Sequence, residues 1–295
     1  MGTFASLFGS ILNLIYGVVQ NYGLAIILFS VLIKLCMLPI TIKEQIIRRK
    51  TAKIQGQVKE IQKKYKKDPQ KMNSEIMALY KSEKMNPLSG CMPAIAQMIL
   101  LMSMFLLVRS PLTHMRGMDS YEIERYTDEI RYEVGDEAIS NRFPEVSVIQ
   151  YVRNEGEIES PAYINMEFLG LDLSSSPIEQ PTNPVVYILP AMFILSSMIS
   201  MRLVMNMNQK NQQKKDIVLD KDGNPEKQEP DMMMQMSKNM MWMMPIMTAT
   251  IVFSAPLGLA LYWFGNNILM ITVILMLNKF LFSKQEQENG GTTDV

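Results

Sequence analysis

Long apolar stretches separated by polar segments run through the chain, a pattern typical of helices that cross a lipid bilayer. A hydrocarbon core about 30 Å thick needs roughly 20 apolar residues in a helix. The last apolar stretch, between Lys238 and Lys279, would form a helix about 60 Å long, twice that thickness. Pro256 and Gly258 lie near its middle and allow the chain to reverse. The sequence therefore predicts five spans.

The same pattern divides the chain into alternating spans and polar connections. In order, these are an outer-surface amphipathic helix at 1–21, span 1 at 22–42, a basic cytoplasmic helical hairpin at 43–90, span 2 at 91–108, an acidic extracytoplasmic segment at 109–183, span 3 at 184–205, a cytoplasmic loop at 206–238, span 4 at 239–255, span 5 at 257–282 and a cytoplasmic tail at 283–295.

Charge is strongly segregated along the 295 residues, although the formal net charge is zero. Residues 41–86 hold 13 Lys and Arg against 5 Asp and Glu. Residues 109–183 hold 6 against 15, and none of the 6 is a lysine. Because loops rich in Lys and Arg stay in the cytoplasm, this asymmetry predicts an outer N-terminus and a cytoplasmic C-terminus.

Familiar catalytic apparatus is missing from the sequence. The chain has two cysteines, Cys36 and Cys91, and one histidine, His114, which cannot build a zinc cage. It also contains no glycine-rich phosphate-binding fingerprint. We therefore expect no cofactor, no metal and no enzyme activity.

Residues 3–20 carry small or polar side chains at helical spacing between apolar ones. These are Ser6, Ser10, Asn13, Gly17 and Gln20. One polar face on an otherwise apolar helix favours an amphipathic helix lying on the outer surface. A sixth span and a signal sequence are the alternatives. The first would leave almost no linker before residue 22, and the second lacks a basic start and a cleavage site.

The basic segment is predicted to form two helices in a hairpin. Asp68 suits an N-cap and Pro69 the first helical turn of the second helix. A basic amphipathic hairpin at the membrane can bind anionic lipids or an incoming partner. The alternative is that its charges only enforce topology. In the acidic segment, the sequence predicts short strands around Val146–Val152.

Lys34 is a single charge within the first apolar stretch. It lies nine residues before Lys43, about 13 Å along a helix from the cytoplasmic boundary. A lysine at the bilayer centre costs roughly 2.5–3.5 kcal/mol on insertion scales, so it should face other helices or water. The alternative is that its side chain reaches the cytoplasmic headgroups. Its depth favours an internal, hydrated site.

Other spans offer polar groups for the same cavity. In span 5, Trp263, Asn266, Asn267 and Met270 share one helix face, and Gln97, Ser196, Ser197 and Ser200 occur in spans 2 and 3. Taken singly, each of these polar residues is typical of hydrogen bonds between membrane helices. Together with Lys34 they predict a polar cavity inside the membrane. Because the spans contain no acidic residue, a transporter coupled to protons or sodium is disfavoured.

Several motifs, taken in order, resemble the YidC/Oxa/Alb family of membrane protein insertases. They are Ile33-Lys34-Leu35 before Pro39, the hairpin sequence ending in Asp68-Pro69, the stretches 86–93 and 168–173, Met244–Met247, Ala255–Gly258, and Tyr262-Trp-Phe-Gly-Asn-Asn267. The resemblance covers roughly residues 1–108 and 165–282. Residues 112–164 look inserted, and the tail after Phe282 is short, with Lys284 its one basic residue.

The resemblance implies an all-α membrane protein with five transmembrane helices around a hydrophilic groove, open to cytoplasm and lipid and closed toward the outside. The groove would comprise Lys34, Gln97, Ser196, Ser197, Ser200, Tyr262, Trp263, Asn266 and Asn267. The family's groove charge is generally arginine, and Lys34 lacks its bidentate fork.

The implied function is insertion of nascent membrane proteins into a bacterial plasma membrane without nucleotide hydrolysis. Further expected partners are anionic lipids, the ribosome, the signal-recognition machinery and the Sec translocon. We expect no binding to a specific nucleic-acid sequence. A small-solute transporter or channel is the alternative, and a membrane scaffold a third. The transporter would need an inverted repeat, which five spans do not show.

Overall fold

The computed structural model describes residues 2–66, 68–84, 92–213, 247–277 and 279. The described chain is mostly helical, as predicted. The helices are α1 (Gly2–Val19), α2 (Tyr22–Lys64), α3 (Pro69–Ser82), α4 (Met92–Arg109), α5 (Ser120–Glu133), α6 (Pro144–Asn154), α7 (Ile188–Gln213), α8 (residues 247–254) and α9 (Leu257–Leu277).

Four described helical stretches are long and apolar enough to cross a bilayer. They are Gly2–Val19, Tyr22–Thr51, Pro184–Met205 and Leu257–Leu277, and Ile95–Arg109 is a shorter apolar helix. The predicted class of an all-α membrane protein is therefore confirmed. The count of five spans and the boundaries of each segment stay predictions.

α2 is one continuous helix that passes Pro39 without ending. The predicted border between span 1 and the hairpin at 42–43 therefore coincides with no helix end. α3 follows after a short turn, and the carboxylate of Asp68 accepts a hydrogen bond from the amide of Lys71 at 3.0 Å. Pro69 is the first residue of α3, so the predicted cap is confirmed.

The chain forms two compact units. The first comprises Met1–Leu35, Met98–Ser197 and Met244–Val273, and the second comprises Cys36–Gln97, Met198–Met243 and Ile274–Val295. The basic hairpin lies in the second unit. The acidic segment (109–183) lies in the first, which also contains the beginnings of α2 and α9.

The core of the first unit joins the acidic segment to the apolar helices. Its largest fully buried side chains come from both: Leu12, Tyr22, Ile26, Phe29, Met104 and Leu107 from the helices before it, Leu112, Ile130, Ile149, Ile164 and Leu173 from the acidic segment, and Leu257 from α9. Because these residues share one hydrophobic cluster, the acidic segment is a packed part of the fold.

The acidic segment is mainly helical. A π-helical turn at Leu112–Arg116 precedes α5, whose Asp119 and Glu122 form a reciprocal capping box. The prediction of strands around 146–152 is wrong, because this stretch belongs to α6. Residues 145–149 are all buried, so their β-branched side chains do not alternate between core and solvent, and Pro144 begins the helix.

The described part of the chain contains one small β-hairpin. Glu167–Phe168 (β1) pairs antiparallel with Leu171–Asp172 (β2), in the register Glu167 to Asp172 and Phe168 to Leu171. The two turn residues, Leu169 and Gly170, have φ angles of 51° and 77°. Two consecutive positive φ angles are typical of a type I′ turn, which matches the twist of a two-residue hairpin.

α1 docks on the acidic segment through one face and exposes another. Its buried residues are Ala5, Gly9, Leu12 and Tyr16, at intervals of four, three and four. Ser6 Oγ lies 3.0 Å from His114 Nδ1, and the guanidinium of Arg116 lies 5.2 Å from the ring centroid of Tyr16. The large apolar side chains on the exposed surface are Phe4, Leu7, Leu14 and Val18. A position of α1 on the membrane surface stays a prediction.

Candidate functional site

Lys34 lies in α2 twelve residues after Tyr22, about 18 Å along the helix axis. Its side chain is half-buried, and Nζ donates to Sδ of Met270 in α9 at 3.7 Å. One turn earlier, Ser30 is buried and its hydroxyl donates to the carbonyl of Ile26 at 2.7 Å. The ammonium group is thus turned toward a residue of α9.

Asn267 of α9 holds two serines of α7. Its Nδ2 donates to Ser196 Oγ at 3.2 Å and to Ser197 Oγ at 2.8 Å. Ser196 is itself buried and donates to the carbonyl of Phe193 at 2.8 Å. The structure therefore brings together three predicted site residues, Ser196, Ser197 and Asn267. Their polar groups hydrogen-bond to one another and so join α7 to α9.

The remaining predicted residues of α9 extend the same contact region. The Trp263 ring is buried and lies 5.4 Å, centroid to centroid, from the ring of Phe193. Tyr262 is also buried, whereas Asn266 is half-buried. Trp263, Asn267 and Met270 recur at i, i+4 and i+7, so one face of α9 contacts α7 through two side chains and Lys34 of α2 through the third.

Gln97 and Ser200 belong to the second unit. Gln97 is exposed on α4, and Ser200 is half-buried on α7, one turn after Ser196. Their membership in the proposed groove stays a prediction.

Sequence reasoning missed two buried residues, Phe193 and Ser103, and the contact that Met270 makes. The ring of Phe193 packs against that of Trp263 at an angle of 42°, and its position three residues before Ser196 was the available signal. Met270 had been placed on the right face of α9 but not as the acceptor of Lys34. Ser103 of α4 is fully buried, and its hydroxyl has no hydrogen-bond partner among the described residues. No spacing in the sequence pointed to it.

The chemistry available here is polar contact and charge. Lys34 supplies a cation and Asn266 a half-buried amide, whereas the amide of Asn267 and the hydroxyls of Ser196 and Ser197 bond to one another. Across the ranges that the structure describes, no three His, Cys, Asp or Glu side chains come close enough together to bind a metal ion. This arrangement can attract and solvate a polar chain within an apolar environment.

Comparison with known proteins identifies a family. The family model of the 60Kd inner membrane protein matches residues 14–285. A protein of Caldanaerobacter subterraneus subsp. tengcongensis named membrane protein insertase YidC is 43% identical over 110 residues, which cover 37% of this chain and 53% of that relative.

Two more relatives carry the same name. The protein of Treponema denticola is 26% identical over 269 residues, 91% of this chain and 36% of the relative. That of Chlorobium limicola is 45% identical over 94 residues, 32% of this chain and 16% of the relative. The matched part therefore spans about half of the first relative and less of the other two.

Proposed function

The chain belongs to the 60Kd inner membrane protein family, that of the YidC/Oxa/Alb proteins, and from this membership we propose that it is a membrane protein insertase. It moves hydrophobic segments of nascent proteins from the cytoplasm into the bilayer. The observation that carries this proposal is the position of Lys34, a half-buried cation inside an apolar helix with its ammonium group at Met270.

The polar tail that precedes a hydrophobic segment is the part that Lys34 attracts. Two opposite charges 4 Å apart attract by about 1 kcal/mol in water but by about 4 kcal/mol at an effective dielectric constant of 20. A cation between helices is therefore a stronger attractant for an acidic tail than one at the surface. Water around Lys34 and Asn266 lowers the barrier, since the tail crosses less hydrocarbon.

Release into lipid needs no covalent step. The hydrophobic segment slides along α2 into the bilayer, where burial of apolar surface gains about 25 cal/mol per Å². This transfer drives insertion, so the chain is not an enzyme and hydrolyses no nucleotide. The exposed leucines of α2, Leu24, Leu28, Leu32 and Leu35, recur every three or four residues and offer an apolar surface for this path.

The basic hairpin receives the substrate on the cytoplasmic side. Residues 41–86 carry 13 Lys and Arg, and the described part folds as the end of α2, a capped turn and α3. A basic helical hairpin can hold anionic headgroups, a nascent chain or the ribosome. Nascent membrane proteins are the substrates, and the signal-recognition machinery and the Sec translocon are further partners.

The proposed location is a bacterial plasma membrane. The N-terminus and the acidic segment lie outside, and the hairpin and the C-terminus lie in the cytoplasm. The charge asymmetry of the two polar segments supports this orientation, because loops with an excess of Lys and Arg are retained on the cytoplasmic side.

Insertion of single-span substrates tests the role of Lys34. Proteoliposomes containing the parent chain, Lys34→Ala or Lys34→Arg receive one substrate with an acidic tail and a matched one with a neutral tail. We expect Lys34→Ala to lose insertion of the acidic-tailed substrate preferentially and Lys34→Arg to retain it. If Lys34→Ala inserts the acidic substrate as well as the parent, the charge-attraction step is wrong.

Deletion of residues 46–84 tests the receiving step separately. A deleted chain that remains folded should retain the groove but capture fewer nascent chains, measured by cross-linking from position 263 to stalled substrates. Unchanged cross-linking would remove the hairpin from the mechanism. Flux of small solutes without any such cross-link would instead favour a channel.

A further inference from the structure

The first turns of α2 and α9 are capped by one stretch of backbone, residues 165–176, which we name the capping segment. The amide of Tyr22 donates to the carbonyl of Asn165 at 2.9 Å. The amides of Leu257 and Gly258 donate to the carbonyls of Ser175 and Leu173 at 2.9 and 3.0 Å. The first amides of a helix have no partner within it. This segment accepts from one such amide of α2 and from two of α9, and so links the two helix ends.

The capping segment is tightly packed against both helices. Leu173 and the three serines that follow it are buried. Gly23 has no side chain, and a Cβ atom there would lie 2.4 Å from Cγ of Phe168. A Cβ atom at Gly258 would lie 3.3 Å from Cε1 of Tyr22 and 3.7 Å from the carbonyl oxygen of Leu173. The segment therefore fills the space between the beginnings of the two helices that carry Lys34 and Met270.

α6 holds the capping segment from the other side. The guanidinium of Arg153 makes a bidentate ion pair with Asp172. Its Nη1 lies 2.9 Å from Oδ1, and its Nη2 donates to Oδ2. Their side chains are 17% and 31% exposed. Gln150 adds a hydrogen bond from Nε2 to Ser174 Oγ at 3.1 Å. Bidentate pairs of this kind are among the stronger polar contacts in proteins and fix the relative orientation of their partners.

α6 is itself firmly supported within the acidic segment. Glu145, at its beginning, accepts hydrogen bonds from the amide and the hydroxyl of Thr113 at 2.9 and 2.6 Å. Tyr151 donates to the carboxylate of Glu133 in α5, and this hydrogen bond raises the pKa of Tyr151 to about 12. Val148, Ile149 and Val152 are fully buried. The contacts to Asp172 and Ser174 thus come from a helix that is packed and hydrogen-bonded within the acidic segment.

We propose that residues 112–164 act as a brace that keeps the proposed groove closed on the outer side. Arg153 and Gln150 are positioning residues, since they hold the capping segment across the outer ends of α2 and α9 rather than touching a substrate. The brace limits entry of water and ions from outside while the groove stays open toward the cytoplasm. This inference rests on the proposed function, because it assigns a closed side to the insertase groove.

Labelling from the outer side tests the brace. In a chain with Cys36→Ser and Cys91→Ser, a reporter cysteine is placed by Asn266→Cys, about 13 Å into α9 from Leu257. Sealed vesicles with the acidic segment outside are treated with a membrane-impermeant maleimide. We expect Arg153→Gln to raise the labelling rate by about tenfold, which corresponds to a loss of about 1.4 kcal/mol from the closed state.

Two further variants separate the brace from general loss of structure. The charge swap Arg153→Asp with Asp172→Arg should restore slow labelling. Arg131→Gln should leave the labelling rate of the parent unchanged, because Arg131 and Asp128 form an exposed pair on α5. The brace is overturned if Arg153→Gln labels no faster than the parent, or if the swap labels as fast as Arg153→Gln.

The labelling rate does not depend on insertion activity, so the two proposals fail separately. If the parent chain inserts no substrate but Arg153→Gln raises the labelling rate, the proposed brace stands and the proposed insertase function is wrong. If the parent chain inserts substrate but all variants are labelled at the parent rate, only the proposed brace is wrong.

Discussion

The ring of Phe168 lies against the backbone of Gly23, so closely that a Cβ atom at position 23 would stand 2.4 Å from the Cγ atom of the ring and 2.5 Å from the Cβ atom of Phe168. The β-hairpin and the first turn of α2 meet at this point. The approach is possible because glycine has no side chain, and it lets Asn21 Nδ2 reach the carbonyl of Glu167 at 2.6 Å.

Gly23→Ala is expected to destabilise the first unit. The new methyl group must displace Phe168 or the backbone behind it, and overpacking of this kind costs roughly 1–3 kcal/mol. Gly265→Ala is the matched control, because a Cβ atom at that position of α9 meets nothing within 4 Å. Thermal unfolding in detergent should show a lower midpoint for Gly23→Ala alone. Equal midpoints for the two variants would contradict the packing described.

A second glycine pair tests how α1 is docked. A Cβ atom at Gly9 would lie 2.0 Å from the carbonyl oxygen of His114, whereas one at Gly17 meets nothing within 4 Å. Because a backbone carbonyl cannot rotate away, Gly9→Ala should separate α1 from the π-helical turn. Gly17→Ala should stabilise α1 by about 0.5–1 kcal/mol through helix propensity. Hydrogen exchange of the amides of α1 measures the difference, and slow exchange in both variants would be the contrary result.

Local signals in the sequence predicted the long apolar helices and the start of α3. The Asp68-Pro69 start of α3 follows from capping chemistry that involves only neighbouring residues. The strands predicted around 146–152 failed because β-branched residues suit either structure, and their burial is set by tertiary packing. The spacing of apolar residues also did not predict how residues 112–164 would fold.

The sequence named candidate residues for the proposed site but not the contacts that they make. Lys34 was identified by the cost of a charge in an apolar helix, and Asn267 by its helix face. That Asn267 bonds to Ser196 and Ser197, about 70 positions away, depends on how α7 packs against α9. That arrangement is decided by side-chain interlocking, which no local spacing records.

The ion pair between Asp172 and Arg153 predicts a pH dependence of stability. Burial raises the pKa of Asp172, but the hydrogen bonds from Arg153 and Ser174 outweigh burial, so the pKa lies below its ordinary value. A carboxyl group with a lowered pKa contributes stability above its unfolded pKa of about 3.9, and this contribution is lost as the pH falls through the folded pKa.

Asp172→Asn should therefore unfold more easily at neutral pH, by roughly 1.5–3 kcal/mol, the usual contribution of hydrogen bonds to a charged group. Its stability should also fall less steeply than that of the parent below pH 4. Unfolding midpoints in detergent between pH 7 and pH 3 measure both effects. Asp128→Asn, which breaks an exposed pair with Arg131, should give a curve parallel to the parent. A curve for Asp172→Asn that coincides with that of the parent would show that the pair stabilises nothing.

Asn267 is expected to join α7 to α9. Asn267→Leu removes both hydrogen bonds to Ser196 and Ser197, and hydrogen bonds between membrane helices contribute about 0.6 kcal/mol on average and up to about 1.7. Asn266→Leu changes the neighbouring amide and serves as the control. Unfolding by a denaturing detergent should be easier for Asn267→Leu. If Asn266→Leu is equally destabilised, the loss would come from the polarity of α9 and not from these bonds.

Met270 should set the position of the Lys34 ammonium group. Met270→Leu preserves the volume of the side chain but removes the sulfur acceptor 3.7 Å from Nζ. The charge remains in α2, so insertion of an acidic-tailed substrate should fall less than it does for Lys34→Ala, and a neutral-tailed substrate should be unaffected. Met276→Leu controls for the loss of a thioether, because Met276 is an exposed side chain of the same helix.

The comparison of the two substrates decides what Met270 does. A selective loss for the acidic tail means that the thioether orients the charge, whereas an equal loss for both tails means that Met270 only packs α9 against α2. Insertion by Met270→Leu at the parent rate for both substrates would show that Lys34 needs no acceptor on α9, and the charge would then act without a fixed position.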